Sequence, residues 1–232
     1  MADFSFFSKF LFPELCFGCR ADLDDSRVLC SDCFARIGKF RTLFCGKCRA
    51  RLPLARKICH RDFPYILGAA TSYGNEVVKK LIYSLKFKSL SSAAEPLTKI
   101  LCDYSEGIFS DINIKKFTVV PVPLAPSRLK ERGFNQSEII AGGLARHFKL
   151  ELNKNVLIRT RETKPQSEQN HFESRFENVR GCFLAKKEML TGTKGIVLID
   201  DVTTSGATFL EASTALKEAG VRRIIALSVA MA

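Results

Sequence analysis

The segment IVLIDDVTTSGAT, from Ile196 to Thr208, has the residue types and spacing best suited to chemistry. Four apolar residues lead into the adjacent carboxylates of Asp200 and Asp201, and a loop of small hydroxyl residues and glycine follows. A helical pattern begins near Ala207, and the free N–H groups of a helix N-terminus favour anions. We therefore predict a phosphate-binding loop, formed by Val202, Thr203, Thr204, Ser205, Gly206, Ala207 and Thr208.

The two aspartates should contact a different part of the same ligand, because carboxylates repel phosphate. The vicinal hydroxyls of a ribose can each donate a hydrogen bond to a carboxylate, and a ribose 5-phosphate joins the two groups. Asp200 and Asp201 are also the candidates for a general base. The simpler alternative is a helix cap after a buried strand, with Asp200 and Thr204 as cap residues; it explains one polar residue but not the run.

Two other polar segments complete this candidate site. Residues 121–138, PVPLAPSRLKERGFNQSE, include Arg128 and Arg132, whose guanidinium forks suit the oxygens of a pyrophosphate. Residues 159–183 include Lys164 and Arg175 in a long polar stretch. Such a stretch is either disordered or a mobile lid. A lid fits a reactive diphosphate ester, which has to be shielded from water.

A second chemistry is indicated by the cysteines, seven of which lie between Cys16 and Cys59. Two Cys-x2-Cys pairs on facing hairpin loops are typical of a structural Zn²⁺ site. Disulfides are disfavoured in a cytosolic chain, and a redox motif is disfavoured by the second pair. The first four cysteines recur 29 positions later with one change, so the segment is a duplication: Cys16, Cys19, Cys30 and Cys33 correspond to Cys45, Cys48, Cys59 and Asp62.

The second copy leaves its fourth metal ligand open. Asp62 can bind zinc through a carboxylate oxygen, and His60 can bind it instead. A third alternative is that the metal is lost and the hairpin persists through packing. The basic residues around the cysteines either contact nucleic-acid phosphates or form a solvated face.

The elements that position these residues begin at Ile66, where periodicity becomes regular. Strands alternate with helices, which predicts an α/β fold with a largely parallel sheet covered on both faces. Ligands bind at the carboxyl ends of such strands, where the three polar segments fall. The predicted strands are 66–73, 117–122, 156–159, 195–200 and 222–230, and the predicted helices are 75–87, 93–104, 137–148 and 207–220.

Composition limits the location and the ligands. The formal charge of +12 favours polyanions, either nucleic acid or small molecules rich in phosphate. No apolar run has the roughly 18 to 20 residues of a membrane span. Residues 4–13 are apolar but short and lack the features of a secretory signal. We expect a cytoplasmic protein.

The segment VLIDDVTTSGAT resembles the phosphoribosyl diphosphate motif of type I phosphoribosyltransferases. With the paired cysteine motifs and the segments PVP, RGFNQ, TKPQS and NVRGCF, nearly the whole chain resembles the ComF family. Members of that family are competence-associated proteins with an N-terminal double zinc ribbon on a phosphoribosyltransferase-like domain. The resemblance predicts a ribbon domain at 1–65, with a degenerate second copy, and a phosphoribosyltransferase-like domain at 66–232.

The resemblance implies that Asp200 and Asp201 lie near the ribose hydroxyls and that the loop binds the 5′-phosphate. It also implies handling of single-stranded DNA in natural transformation, with DNA-uptake helicase or channel proteins as partners. The alternative is an active phosphoribosyltransferase, with Mg²⁺ held by pyrophosphate and ribose oxygens and a nucleobase-like acceptor. Three residues follow Val229, so we expect little chain for an acceptor pocket. The absence of tryptophan favours backbone binding over base stacking.

Overall fold

A computed structural model of the chain describes residues 15–23, 27–52, 59–162 and 172–232, with side chains from residue 176 onward in the last range. The described strands are β1 (Leu43–Cys45), β2 (Arg51–Leu52), β3 (Ile66–Ser72), β4 (Phe117–Pro121), β5 (Glu151–Leu152), β6 (Leu157–Arg159), β7 (Phe183–Ala185), β8 (Gly195–Thr203) and β9 (Ile224–Met231). The described α-helices are α1 (Ser31–Ala35), α2 (Glu76–Phe87), α3 (Ala94–Phe109), α4 (Pro126–Arg132), α5 (Gln136–Phe148), α6 (Phe172–Val179) and α7 (Ala207–Glu218).

Seven of these strands form one sheet in the order β2-β1-β3-β9-β8-β4-β5, while β6 and β7 pair separately. The five strands from β3 to β5 in this order are parallel. The hairpin of β1 and β2 adds antiparallel to β3, with Phe44 opposite Leu67. Hydrogen bonding therefore continues across residue 65, and the division into domains at that residue stays a prediction.

The sheet has a hydrophobic core on each face. Successive residues of β8 alternate between them: Val197 and Ile199 pack in the cluster that includes α2, α3 and α5. Ile196 and Leu198 pack in the cluster that includes α7 and β7. All four are fully buried, as expected for a parallel strand covered on both sides. The predicted fold class is confirmed.

Several elements differ from their predictions. Helix α4 occupies a segment that we predicted only as a basic cluster, although Pro126 begins it and the left-handed Gly133 (φ 80°) ends it, both usual boundary signals. Cys30 and Cys33 lie at the start of α1 and not on a hairpin loop, because the Cys30 sulfur caps the helix by accepting a hydrogen bond from Cys33 N. Strand β8 continues past Asp200 to Thr203.

No helix in the described part of the chain combines the length and the apolar character that crossing a membrane requires.

Candidate functional site

Asp201 lies at the carboxyl end of β8 and is almost completely buried, with 2% of its surface exposed. Its Oδ2 atom forms an ion pair with Nζ of Lys86, on α2, at 2.8 Å. Its Oδ1 atom accepts a hydrogen bond from the backbone N–H of Val202 at 2.8 Å. Both carboxylate oxygens thus have protein partners, and the buried Asp201 holds the ammonium group of Lys86 at this end of the sheet.

Asp200 has a different environment, because part of the residue is exposed while its carboxyl group is enclosed by the protein. Its Oδ1 atom accepts hydrogen bonds from Oγ of Ser137 at 2.8 Å and from the N–H of Asp201 at 2.9 Å. Burial and the neighbouring charge of Asp201 raise the pKa of Asp200 to about 7, against the opposing effects of Lys86 and Ser137. Asp200 can therefore change its protonation near neutral pH.

Sequence reasoning missed Lys86 and Ser137, although both had weak signals. The buried positions of α2 include Leu81, Ile82 and Leu85. Lys86 follows Ile82 by four residues, so it lies at the edge of the apolar face, where a lysine needs a partner. Ser137 follows Asn135, the N-cap residue of α5. Its hydroxyl points from a helix start toward the end of a neighbouring strand.

The residues predicted to form a phosphate-binding loop run from the end of β8 into the first turn of α7, and Gly206 precedes the helix with φ 84°. The hydroxyl oxygens of Thr203 and Thr204 are buried and have no hydrogen-bond partner among the described residues. The Ser205 hydroxyl accepts a hydrogen bond from Ala207 N at 3.3 Å. Buried hydroxyls are almost always hydrogen-bonded in native proteins, so these two, just before a helix, favour a polar partner that the described residues do not supply.

Gly206 permits a close approach that any side chain would block. A Cβ atom at this position would lie 2.6 Å from Nη2 of Arg49 and 2.9 Å from the hydroxyl oxygen of Tyr65. Arg49 Nη2 also donates a hydrogen bond to the carbonyl of Thr204 at 3.2 Å. The loop is therefore backed by two residues from the N-terminal part of the chain.

The predicted pyrophosphate residues Arg128 and Arg132 both lie on α4. Arg132 is half-buried, and its Nη1 donates to Oε1 of Gln136 at 2.6 Å. Burial lowers its pKa, and the charge of Asp201 opposes that effect. The start of α4 is connected to the segment after β6, because Ser127 donates from its N–H and its hydroxyl to Glu162.

Two predicted residues of the lid are not placed by the structure. Lys164 lies outside the described residues, and for Arg175 the structure describes the backbone, in α6, but not the side chain. The lid stays a prediction. Arg159, in β6, is mostly buried, and its guanidinium carbon lies 5.4 Å from the centre of the Phe183 ring.

Two groups of potential metal ligands lie in the N-terminal part of the chain. The first consists of Cys16, Cys19, Cys30 and Cys33, whose sulfur atoms all lie within 4.8 Å of one another. The Cys16 sulfur accepts hydrogen bonds from the N–H groups of Gly18 and Cys30, each at 3.4 Å. Burial tends to raise the pKa of Cys16, but these N–H donors outweigh it and lower the pKa to about 6.

The second group consists of Cys45, Cys48, Cys59 and His60, with the same mutual spacing. Nδ1 of His60 lies 3.3 Å from the Cys45 sulfur, and Asp62 is not a member of the group. Of the alternatives that the sequence left open, the geometry favours His60 as the fourth ligand. A ligand set of three cysteines and a histidine is one that Zn²⁺ commonly uses.

The chemistry of both groups fits a bound cation. In the first group, burial and hydrogen bonding to the neighbouring cysteines raise the pKa of Cys33 to about 12, while that of Cys16 is lowered. In the second, neighbouring sulfurs raise the pKa of Cys59 to about 11. Thiols this close cannot all ionise without a cation, whereas a coordinated metal keeps its sulfur ligands deprotonated. Each group is thus able to hold a metal ion.

The fold and these groups define a class: a mixed α/β protein with a mostly parallel, phosphoribosyltransferase-like sheet and an N-terminal cysteine module. No protein-family model matches the chain. DNA utilization protein YhgH of Escherichia coli K12 is 27% identical over 228 residues, which cover 91% of this chain and 94% of that protein. Competence protein F of Haemophilus influenzae is 27% identical over 220 residues, or 90% of this chain and 93% of that protein.

A third relative is competence protein ComFC of Bacillus subtilis, 29% identical over 149 residues, which cover 63% of this chain and 56% of that protein. The first two similarities extend over both the cysteine module and the parallel sheet. The chain is thus a relative of the ComF competence proteins, and the resemblance predicted from its motifs is confirmed.

Proposed function

We propose that this protein binds phosphoribosyl diphosphate or a related ribose 5-phosphate ligand at the end of β8. The observation that carries the proposal is the pair of buried, unpartnered hydroxyls of Thr203 and Thr204 among the described residues, directly before the N-terminus of α7. A phosphate there would accept hydrogen bonds from these hydroxyls and from the free N–H groups of the helix.

The remaining residues of the site have separate roles in this proposal. Asp200 accepts hydrogen bonds from the ribose hydroxyls, since Asp201 is already paired with Lys86. Arg132 and Arg128 both lie on α4, and Arg132 is close enough to Asp201 to feel its charge, so the two arginines would bind a pyrophosphate group there. Mg²⁺, held mainly by pyrophosphate and ribose oxygens, would neutralise part of the ligand's charge.

Isothermal titration calorimetry with phosphoribosyl diphosphate and Mg²⁺ tests this assignment. We expect Asp200→Asn and Thr204→Val each to weaken binding by about tenfold, the effect of losing one or two hydrogen bonds to the ligand. Asp111→Asn and Thr214→Val are the matched controls, because both residues are exposed and lie on other parts of the surface. Unchanged affinity in Asp200→Asn and Thr204→Val would show that the ligand is bound elsewhere.

The cellular role that we propose is the handling of single-stranded DNA during natural transformation, together with DNA-uptake helicase or channel proteins. The names of the competence relatives support this role. A feature of α2 adds to it: Tyr83 and Phe87 are 53% and 63% exposed, and their ring centroids lie 5.1 Å apart. Exposed, adjacent aromatic rings are the surfaces on which the bases of single strands stack.

The charges around these rings suit a nucleic-acid backbone. The Arg132 guanidinium carbon lies 6.0 Å from the centre of the Phe87 ring. Lys79, Lys80 and Lys88 are exposed on or next to the same helix. A strand could therefore stack its bases on the rings while lysines neutralise its phosphates. The composition had suggested backbone binding without stacking, and these two rings now favour a contribution from both.

Fluorescence anisotropy with a labelled oligothymidine tests the DNA role at two salt concentrations. We expect the double substitution Tyr83→Ala/Phe87→Ala to weaken binding by at least tenfold, at roughly 1 to 3 kcal/mol for each stacked base. Leu184→Ala is the control, because Leu184 is an exposed apolar residue on β7. Equal losses in the double variant and the control, or an affinity that does not fall with added salt, would refute the proposed surface.

A second candidate function is catalytic transfer of the phosphoribosyl group to a nucleobase-like acceptor. The observation in its favour is the raised pKa of Asp200, about 7, because a carboxyl group that titrates near the working pH is suited to proton transfer. Release of pyrophosphate from phosphoribosyl diphosphate in the presence of single nucleobases would measure this activity. If the protein binds phosphoribosyl diphosphate but releases no pyrophosphate when a nucleobase is added, it has the binding function and not the transferase activity.

A further inference from the structure

The turn after Cys48 connects the second cysteine group to the phosphate loop through one side chain. Arg49 follows Cys48 directly and adopts a left-handed backbone with φ 60°. Its N–H donates to the carbonyl of Cys45 at 3.0 Å, and Cys45 N donates to the carbonyl of Ala50 at 2.8 Å. Because side chains disfavour a left-handed backbone, this conformation needs the turn that the cysteines define.

The guanidinium of Arg49 reaches the phosphate loop, 155 residues away in the chain. Nη2 donates to the carbonyl of Thr204 at 3.2 Å, and Nη1 lies 3.7 Å from the sulfur of Met231 on β9. Nη2 occupies the space that a side chain at Gly206 would fill. Arg49 thus fixes the orientation of the loop peptide and places a positive charge beside a predicted phosphate site.

A chain of aromatic side chains connects the same two regions. Phe63 lies three residues after His60, and its ring centroid is 5.1 Å from that of Tyr65. Tyr65 is buried and lies 5.9 Å from Phe209, in the first turn of α7. The helix that would bind the phosphate at its N-terminus therefore packs on residues next to the second cysteine group.

The duplication of the cysteine segment provides an internal comparison. Arg20 occupies the position in the first copy that Arg49 occupies in the second, and its φ of 62° is nearly the same. Arg20 N donates to the Cys16 carbonyl at 2.9 Å, in the same turn. Arg20 is exposed, however, whereas Arg49 is half-buried against the loop. The two copies thus share a turn, and the second uses its arginine to contact the site.

We propose that Arg49 is a positioning residue for the ribose 5-phosphate site and that metal bound by Cys45, Cys48, Cys59 and His60 strengthens ligand binding through it. This inference rests on the proposed function of the loop. The metal would hold the turn, the turn would hold Arg49, and Arg49 would hold the carbonyl of Thr204 while its charge attracts the phosphate. Coupling between sites is reciprocal, so the ligand should strengthen metal binding by the same factor.

The first test compares Arg49→Gln with Arg20→Gln in the metal-loaded full chain. We expect Arg49→Gln to weaken the binding of ribose 5-phosphate, measured by calorimetry, by about tenfold, and Arg20→Gln to leave it unchanged. Metal content should stay the same in both variants, which shows that the modules remain folded. Equal affinities in the wild type and Arg49→Gln would overturn the inference.

The second test uses Co²⁺ in place of the natural metal, because its visible absorption reports on the ligand geometry. We expect ribose 5-phosphate to shift the Co²⁺ spectrum of the wild type and of Arg20→Gln, but not that of Arg49→Gln. An unchanged spectrum in ligand-bound wild type would also contradict the coupling. If the wild type binds neither phosphoribosyl diphosphate nor ribose 5-phosphate, the proposed function fails; if it binds ribose 5-phosphate equally well without Arg49, only this inference fails.

Discussion

The ion pair between Lys86 and Asp201 gives the most direct test of the structure. Asp201 is 2% exposed and the Lys86 side chain 24% exposed, so the pair joins a buried anion to a cation that partly reaches solvent. We predict that Lys86→Met destabilises the protein more than Asp201→Asn does. The first substitution leaves a buried carboxylate without its cation, whereas the second leaves an ammonium group that can turn toward water.

The separation of the charges sets the magnitude. At 2.8 Å, an effective dielectric constant of about 20 gives a Coulomb attraction of about 6 kcal/mol, which desolvation of both groups largely offsets. Removal of one partner from a buried pair typically costs about 3 to 5 kcal/mol. We therefore expect about 3 to 5 kcal/mol for Lys86→Met and about 1 to 2 kcal/mol for Asp201→Asn, whose remaining lysine can be rehydrated.

Urea denaturation of the two single variants and of the double variant measures these values as a double-mutant cycle. The double variant should be more stable than Lys86→Met, because residue 201 is then no longer a buried carboxylate without its cation. Lys88→Met is the control, since Lys88 is exposed just after the end of α2. Its free energy of unfolding should stay within about 0.5 kcal/mol of the wild type.

The outcome that would refute this reasoning is additivity. If Lys86→Met and Asp201→Asn each cost less than about 1 kcal/mol and their effects simply add, the two charges do not interact in the folded protein. If Asp201→Asn lowers the free energy of unfolding more than Lys86→Met does, the lysine is the member of the pair that needs its partner's charge in order to be buried.

Three further predictions concern the same region and the metal groups. The pKa of Asp200 is raised to about 7, so the folded state binds a proton at this carboxyl more tightly than the unfolded state does. The protonated carboxyl therefore stabilises the fold fully below the ordinary aspartate pKa, and this stabilisation is lost as pH rises through 7. In urea denaturation, the free energy of unfolding of Asp200→Asn should therefore rise relative to that of the wild type between pH 5 and pH 8, by on the order of 2 kcal/mol. A difference between the two proteins that does not change with pH would contradict the burial of this carboxylate. Gly206→Ala should lower the thermal midpoint more than Gly220→Ala does, because both glycines are left-handed but, of the two, only at Gly206 would a Cβ meet other atoms. Equal shifts in the two variants would show that the Cβ at position 206 is not crowded by Arg49 and Tyr65. Elemental analysis should find two Zn²⁺ ions per chain, one fewer in His60→Ala and two in Asp62→Ala, whereas the reverse result would make Asp62 the ligand.

Local patterns were sufficient to predict most elements of the parallel sheet. The helix predicted over 75–87 begins at Asn75, whose side chain caps α2 by accepting hydrogen bonds from the N–H groups of Val77 and Val78. The apolar run before Asp200 predicted β8, and the helical pattern after Gly206 predicted the start of α7 at Ala207. These features depend on residues within one or two turns of each other, which is the range over which capping and periodicity act.

The contacts that complete the site join residues far apart in the chain, and no local pattern contains them. Ser137 donates to Asp200 across 63 positions. Arg49 reaches Thr204 only because the hairpin of β1 and β2 is paired with β3, whose other neighbour is β9. The exposure of Tyr83 and Phe87 likewise depends on which side of α2 packs on the sheet. Charge and composition alone could not distinguish these two rings from the buried aromatic residues.

The position of β9 in the sheet has a consequence for folding during synthesis. Strand β9 lies between β3 and β8, so Ile66 has no parallel neighbour until its partner Ile225 has been made. A nascent chain would expose the edge of β3 that later pairs with β9 for most of its translation, and open edges of apolar strands promote aggregation. The hairpin of β1 and β2 is synthesised first and pairs with the opposite edge of β3. The cysteine module would thus protect one edge of the unfinished sheet on the ribosome.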